Sequence, residues 1–240
     1  MITVHHLNNS RSQRILWLLE ELHLDYEVKR YERNPETMAA PDALKHVHAL
    51  GKSPVLTDSA TGLTLAESGV IVEYLSERYG AANREDAPLL PPRAATAAET
   101  GSSDFEAEYW DCKYWLHYAE GSLMTPMLVG LITARLRKAK MPFFVRPIAS
   151  RIADQIDSTF TRPRLKEHFN FIESHLAQRE WFSAPHLTVA DIQMSFPLEA
   201  AAARGLLGDA YPNISAFVAR VHARPAYQAA LKSGGQYDFA

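Results

Sequence analysis

Every stretch of this 240-residue chain that reads as a β-strand lies in its first third. That asymmetry limits the architectures open to it, because strands and helices must be layered from what each region supplies. "MITVHH" alternates Ile2 and Val4 with polar neighbours, and "DYEVKRY" does the same with Tyr26 and Val28. "PVLTD" and "LTLA" form a second pair of strands joined by the "SATG" turn, a hairpin signal. Pro54 opens the first of these, where a missing N–H is tolerated. Between the first two strands, Ile15, Leu18, Leu19 and Leu22 recur on one face of a helix. A polar, helix-compatible stretch covers 36–49. Then "ESGVIVEYLSERYG" sets Val70, Ile71, Tyr74 and Leu75 at helical spacing and ends on Gly80, a helix-stop signal. The order is βαβαββα, an α/β domain.

The stretch "AANREDAPLLPPR" is charged and then proline-rich, and it reads as a linker. The chain divides accordingly into a first domain over 1–81, a linker over 82–93 and a second domain over 94–240. Beyond Arg93 no strand is evident, so the second domain is expected to be all-α. Its helical segments fall at roughly 94–134, 148–178, 188–204 and 213–231. Thr188 stands three residues before Asp191, the pattern of a capping box. Pro212 and Pro225 each open a later helical segment, where proline is accepted.

Hydrophobic residues make up 47% and charged residues 22%, as expected of a packed core. A net charge of −3 argues against a nucleic-acid binder, and the basic run "RLRKAK" at 135–140 reads as a solvated helix face. The single cysteine, Cys112, allows neither an intramolecular disulfide nor a C-x-x-C redox pair. The N-terminus lacks a signal-peptide pattern, and no run approaches the ~18 apolar residues of a membrane span. A soluble cytoplasmic protein with no membrane partner is the expectation. His46 and His48 lack a clustered third ligand, so no metal is expected. His5 and His6 read as strand residues flanking a site.

Three spots in the first domain can carry chemistry. In "SRSQ", Ser10 fits an N-cap with Gln13 closing a capping box. The same geometry suits an anion, because a helix N-terminus offers unpaired N–H groups and a positive dipole end. In "GKSP", Pro54 is either an ordinary trans proline or a cis one in a tight bend. In "AES", Ser68 is either an N-cap or the receptor for a ligand carboxylate. Each reading stays open when its segment is taken alone.

Taken together, these segments resemble the glutathione S-transferase family in order and spacing. The resemblance spans nearly the whole chain through "HHLNNSRSQRILWLLEEL", "HALGKSPVL", "LAESGVIVEYLSERYG", "LTVADIQMSFPLEAA" and "ARPAYQAAL". "YWLHYAEGSLMTPML" resembles the family's fungal and bacterial branch, related to a yeast glutathione transferase. The resemblance implies a thioredoxin-like domain followed by an all-α domain, and a homodimer. It implies glutathione as co-substrate and a hydrophobic electrophile or a peroxide as second substrate. Ser10 then aligns with the serine that stabilises the glutathione thiolate. Lys52 meets the glycyl carboxylate, Ser53 before an expected cis Pro54 pairs its backbone with the cysteinyl unit, and Glu67 and Ser68 hold the γ-glutamyl end.

Two departures bear on this assignment. Ala49 stands where relatives often carry proline. Asn8, Asn9 and Ser12 crowd the turn, which makes Asn9 and Ser12 alternative donors to sulfur. Of the aromatic stripe Phe105, Tyr109, Trp110, Tyr114, Trp115 and Tyr118, most reads as core or dimer interface. Tyr114 and Tyr118, one helical turn apart, are the candidates for an apolar electrophile pocket. No cysteine lies near the turn, which disfavours the family's cysteine-dependent branches. The competing functions are a non-catalytic binding or regulatory module on the same fold and a glutathione-dependent disulfide reductase.

Overall fold

The computed structural model describes residues 1–83, 88–92 and 103–240. Its first domain carries a four-stranded mixed sheet in the order β2 (Tyr26–Tyr31), β1 (Ile2–Leu7), β3 (Val55–Asp58), β4 (Leu63–Ala66). β1 (Ile2–Leu7) and β2 (Tyr26–Tyr31) run parallel, with Val4 opposite Val28, and are joined by α1 (Ser12–Glu21). β3 (Val55–Asp58) lies antiparallel to β1, and β4 (Leu63–Ala66) returns antiparallel to β3. The turn between them uses Gly62 at φ +72°, where its N–H reaches the Asp58 carbonyl. α2 (Ser68–Asn83) completes the domain. It runs past Gly80, because the alanines that follow favour helix and no side chain at Gly80 is needed for packing.

The stretch over 36–49 folds only into a short 3₁₀ segment, Asp42–His46, which follows the extended Pro41. With a single buried residue, Leu44, it has too little apolar surface to hold a longer helix against the sheet. Residues 84–87 and 93 of the expected linker lie outside the described residues, as does the side chain of Phe105.

From Ser103 onward every regular element among the described residues is helical. α3 (Ser103–Tyr118) passes through a π-turn, Ala119–Leu123, into α4 (Met124–Lys138). α5 (Arg146–Ile156) passes through a second π-turn, Asp157–Thr161, into α6 (Arg162–Leu176). α7 (Val189–Ala203) is central and almost entirely buried. The expected capping box forms at its start: Thr188 and Asp191 satisfy each other's backbone N–H groups. Pro225 splits the last predicted segment into α8 (Pro212–His222) and α9 (Pro225–Gly234), since proline cannot continue the preceding helical hydrogen bonds.

The two parts share one continuous core. α1 is packed against the sheet, α2, α7 and α9, and Ile15, Leu16, Trp17, Leu18, Leu19 and Leu22 are all fully buried. Trp17 meets the Tyr227 ring edge-on at 5.5 Å, and Arg224 grips the Glu21 carboxylate with two donors at 2.5 and 2.9 Å. At Gly234 an added Cβ would lie 2.6 Å from Gln13 Oε1 and 3.0 Å from Leu16 Cδ1. That absence of a side chain brings the end of α9 onto α1 and sends residues 235–240 back toward the turn before it.

Candidate functional site

The segment Asn8–Arg11 forms a tight turn between β1 and α1, with Asn9 in the left-handed region at φ +50°. The helix begins at Ser12, one residue later than a Ser10 cap implies, and Ser10 and Gln13 form no capping box. Gln13 points into the core instead, with both side-chain polar atoms unpartnered among the described residues. Ser10 is used differently. Its Oγ accepts the Ser12 N–H at 3.2 Å and lies 2.7 Å from Ser12 Oγ. Ser12 Oγ is in turn 2.9 Å from His6 Nδ1. Burial, reinforced by the charge of Arg30, lowers the His6 pKa to about 4, so this imidazole is neutral at physiological pH.

One backbone group ties the turn to the next segment. The Leu7 N–H points at both Ser12 Oγ, 3.3 Å away, and Ser53 Oγ, 3.2 Å away. Ser53 Oγ donates onward to the His5 carbonyl at 2.8 Å, so the serine is pinned across β1. The Ser53–Pro54 peptide bond is cis, and the β3 ladder begins only after it, at Val55. Lys52 beside it is exposed.

The third segment meets the first through Arg14. This residue is almost completely buried, and its Nη2 donates to Ser68 Oγ at 2.9 Å and to Glu120 Oε1 at 2.6 Å. Its Nη1 donates to the Gln193 carbonyl. Burial opposes ionisation of Glu120, yet Arg14 and Arg11 together hold its pKa below the usual carboxylate range. Ser68 Oγ also accepts from Gln193 Nε2 at 3.1 Å. Both donors are obligate, so the serine's acceptor capacity is filled and its own proton remains to be given. Ser68 is not the helix cap: the first α2 hydrogen bond runs from the Ile71 N–H to the Glu67 carbonyl. Glu67 itself is exposed and held at φ +68°, a backbone region that side chains avoid.

Beside the turn lies a cleft of about 550 Å³ between the two halves of the molecule. Met124, Leu128, Leu131, Phe196 and Phe239 give it apolar walls, and Arg11 lies 5.0 Å over the Phe196 ring. The returning C-terminal segment closes one side. Asn9 Nδ2 donates to Asp238 Oδ2 at 2.6 Å, and Asn9 Oδ1 accepts the Asp238 N–H at 2.8 Å.

Tyr114 and Tyr118 are elsewhere. They line a separate cavity of about 860 Å³ with Trp110, Lys113 and His117, which shares no residue with the cleft beside Asn9. The Tyr118 hydroxyl pairs with His168 Nδ1 at 2.5 Å, and its ring packs on Trp115 and Phe171. The π-turn after Tyr118 adds a residue to the helical register. The face continued by α4 is therefore rotated relative to the tyrosines, and Met124 and Leu128 reach the cleft in their place.

Arg14, Gln193 and Glu120 bind the site together and were not legible as site residues, while His6, expected to flank the site, reaches it through Ser12. The one local signal was Arg14 itself, a charge set directly before the apolar run Ile15–Leu19. Among the described residues no group of three or more His, Cys, Asp or Glu side chains is placed to hold a metal. No helix among them is long and apolar enough to cross a membrane. Cys112 is buried, which pushes its thiol up to about 11 and leaves it a poor nucleophile.

Known proteins resemble both halves of this chain. Residues 1–77 match the family model described as "Glutathione S-transferase, N-terminal domain", and residues 135–225 match "Glutathione S-transferase, C-terminal domain". Glutathione S-transferase 3 of Schizosaccharomyces pombe is 36% identical over 232 residues, covering 97% of this chain and 87% of that protein. Glutathione S-transferase 1 of Saccharomyces cerevisiae is 33% identical over 235 residues, covering 95% and 93%. A solved glutathione S-transferase from Actinobacillus pleuropneumoniae superposes with a TM-score of 0.73 at 32% identity, over 100% of this chain and 95% of that one. A glutathione transferase homologue from Lodderomyces elongisporus, solved with two glutathione molecules per subunit, shares the fold at a TM-score of 0.71 and 18% identity, over 98% and 99%. With a strand-bearing half and a helical half joined at one polar turn, and relatives matched over nearly their full length, the chain belongs to the glutathione S-transferase family.

Proposed function

We propose that this chain is a glutathione transferase in which the Ser10 hydroxyl donates a hydrogen bond to the glutathione thiolate. Residues 1–81 bind glutathione, and residues 94–240 supply the second substrate's cleft and the contacts of a homodimer. The observation that carries the reading is the convergence of three distant segments through Leu7 and Arg14. The Ser10 turn, Ser53–Pro54 and Ser68 are tied into one hydrogen-bonded unit.

In this reading the three segments divide glutathione among them. Ser68 gives its free proton to the γ-glutamyl carboxylate at the start of α2, and the exposed Glu67 meets the γ-glutamyl ammonium. Ser53 pairs its backbone with the cysteinyl unit, Pro54 shapes that bend, and Lys52 meets the glycyl carboxylate. Of the three candidate donors to sulfur, Ser12 is fully buried, the Asn9 amide is engaged by Asp238, and Ser10 keeps 4% exposure, which favours it. When His6 Nδ1 donates to Ser12 and Ser12 donates to Ser10, Ser10 accepts two bonds and its own proton is directed to the thiolate.

The magnitudes suffice. A free thiol with a pKa near ~8.5 is only a few per cent thiolate at neutral pH. Lowering that pKa by about two units needs roughly 2.7 kcal/mol of preferential stabilisation. One hydrogen bond to a charged acceptor supplies ~1.5–3 kcal/mol, and the start of α1 adds ~0.3–1 kcal/mol. The thiolate then attacks an apolar electrophile, or a peroxide, held in the cleft of Met124, Leu128 and Phe196.

The test is glutathione binding by calorimetry with turnover of aryl halides, hydroperoxides and mixed disulfides, for wild type and Ser10→Ala. Wild type binds glutathione. Ser10→Ala raises the pKa of the bound thiol and lowers turnover ~10-fold or more, as loss of one charge-stabilising donor does. Full activity with an unchanged thiol pKa in the variant sinks the assignment. Absence of both binding and turnover in wild type leaves the non-catalytic module as the function.

A further inference from the structure

The cleft beside Ser10 has an apolar body, and its rim carries an excess of positive charge among the described residues. Four arginines line it, Arg11, Arg33, Arg135 and Arg204, against two carboxylates, Glu120 and Asp238. The carboxylates are already committed. Glu120 receives Arg11 Nε on both oxygens at 2.8 Å and also the buried Arg14. Asp238 is held by Asn9.

Among the described residues, the remaining guanidiniums find no counter-charge. Arg33 donates to the carbonyls of Asn8, at 3.2 Å, and Met38, at 3.1 Å, which accept hydrogen bonds but carry no charge. Among the described residues, neither Arg135 nor Arg204 has a hydrogen-bond acceptor or a carboxylate within ion-pairing distance. They are also close enough to one another to interact. Burial and the charges of Arg11 and Arg135 make the Arg33 proton easier to lose, and burial and Arg135 do the same at Arg204. Like charges gathered at the mouth of an apolar cleft repel one another until an anion joins them. A planar guanidinium suits a carboxylate, which it binds through two parallel N–H bonds.

We propose that this cleft selects electrophiles that carry a carboxylate: an apolar body seated on Phe196, Met124 and Leu128, with the acid group gripped by Arg135 and Arg204. The proposal rests on the reading of Ser10 as the thiolate residue and adds the substrate class to it. With an aryl enone acid as substrate, sulfur bonds to the β carbon and the alkene electron pair moves to the α carbon. A solvent proton, equal in number to the one released when the thiolate formed, completes the product. The carboxylate is bound and takes no part in the bond changes.

The test compares an aryl enone bearing a carboxylate with its methyl ester, in wild type and in the paired exposed-residue variant Arg135→Gln with Arg204→Gln. Wild type is expected to prefer the acid in kcat/KM by ~10-fold or more, a preference that shrinks as salt rises from 20 to 500 mM because exposed charges are screened. In the double variant the acid-to-ester ratio falls to about one. Calorimetry with the two finished glutathione conjugates reads the same preference without turnover. Equal handling of acid and ester by wild type, in turnover and conjugate binding, overturns the proposal while leaving the Ser10 reading intact. A rise in the KM for glutathione with acid and ester alike also overturns it, since the arginines would then serve glutathione's own carboxylates. Failure of wild type to bind glutathione or either conjugate overturns both readings together.

Discussion

Arg14 donates to Ser68 at 2.9 Å within the first domain, from the first turn of α1 to the first residue of α2. The same guanidinium reaches Glu120 in the π-turn after α3 and the Gln193 carbonyl in α7. A group that orients the hydroxyl proposed to meet glutathione therefore also joins the halves on which the cleft depends.

That double role predicts a coupled loss. Arg14→Met removes a buried charge and leaves the Gln193 carbonyl and Ser68 each short of a donor. Breaking a buried pair costs about 3 kcal/mol. Urea denaturation is expected to show a loss of that order, and calorimetry a ~10-fold or greater weakening of glutathione binding by the folded variant. Unchanged binding by a destabilised Arg14→Met protein would make the residue purely structural.

Glu67 separates function from stability in the opposite sense. Its φ of +68° costs a side-chain-bearing residue about 1–2 kcal/mol that glycine does not incur. Glu67→Gly is expected to leave the melting temperature unchanged or raise it, while weakening glutathione affinity ~10-fold or more by removing the carboxylate. A variant that melts earlier and still binds normally would show that the strained backbone serves no ligand.

His6 gives the fold an acid-sensitive point. Its folded pKa of about 4 lies below the unfolded value near 6.5, so between those values only the unfolded chain takes up the proton. The resulting penalty is absent above pH 6.5 and grows to about 2 kcal/mol at pH 5. Asp191, with its pKa raised to about 6 by burial, works in the other direction across this window, so the comparison needs a variant. The stability advantage of wild type over His6→Gln is expected to narrow by about 2 kcal/mol from pH 7.5 to pH 5. A gap that is constant with pH in denaturant titrations would contradict this.

Asp191 is the anchor of α7. Its two oxygens accept the Phe182 N–H at 2.8 Å, the Thr188 N–H at 2.8 Å and the Thr188 hydroxyl at 2.9 Å. Asp191→Ala leaves two buried N–H groups unpaired, each costing ~1–3 kcal/mol. A loss of about 3 kcal/mol or more is expected at neutral pH, against roughly 1 kcal/mol for Thr188→Ala, the usual cost of a cap. Similar losses for the two variants would argue that the cap alone matters and the Phe182 contact does not.

Local periodicity was enough to place the strands, most of the helices and the capping box of α7. Each of those patterns is set by residues within a turn or a strand length of one another. The family resemblance in turn named Ser10, Ser53 and Ser68 as one site from segments that are individually ambiguous. No short-range pattern could show that Gln13 turns into the core rather than back to Ser10, or that a π-turn rotates Met124 and Leu128 into the cleft ahead of Tyr114 and Tyr118. The partners that orient the site are further still along the chain. Arg14 meets residues 54, 106 and 179 positions away, and Asn9 meets Asp238 at a separation of 229. Such contacts carry no periodicity. They exist only because α1, buried on every side, must satisfy each polar group it takes into the core with whatever the packed neighbours present.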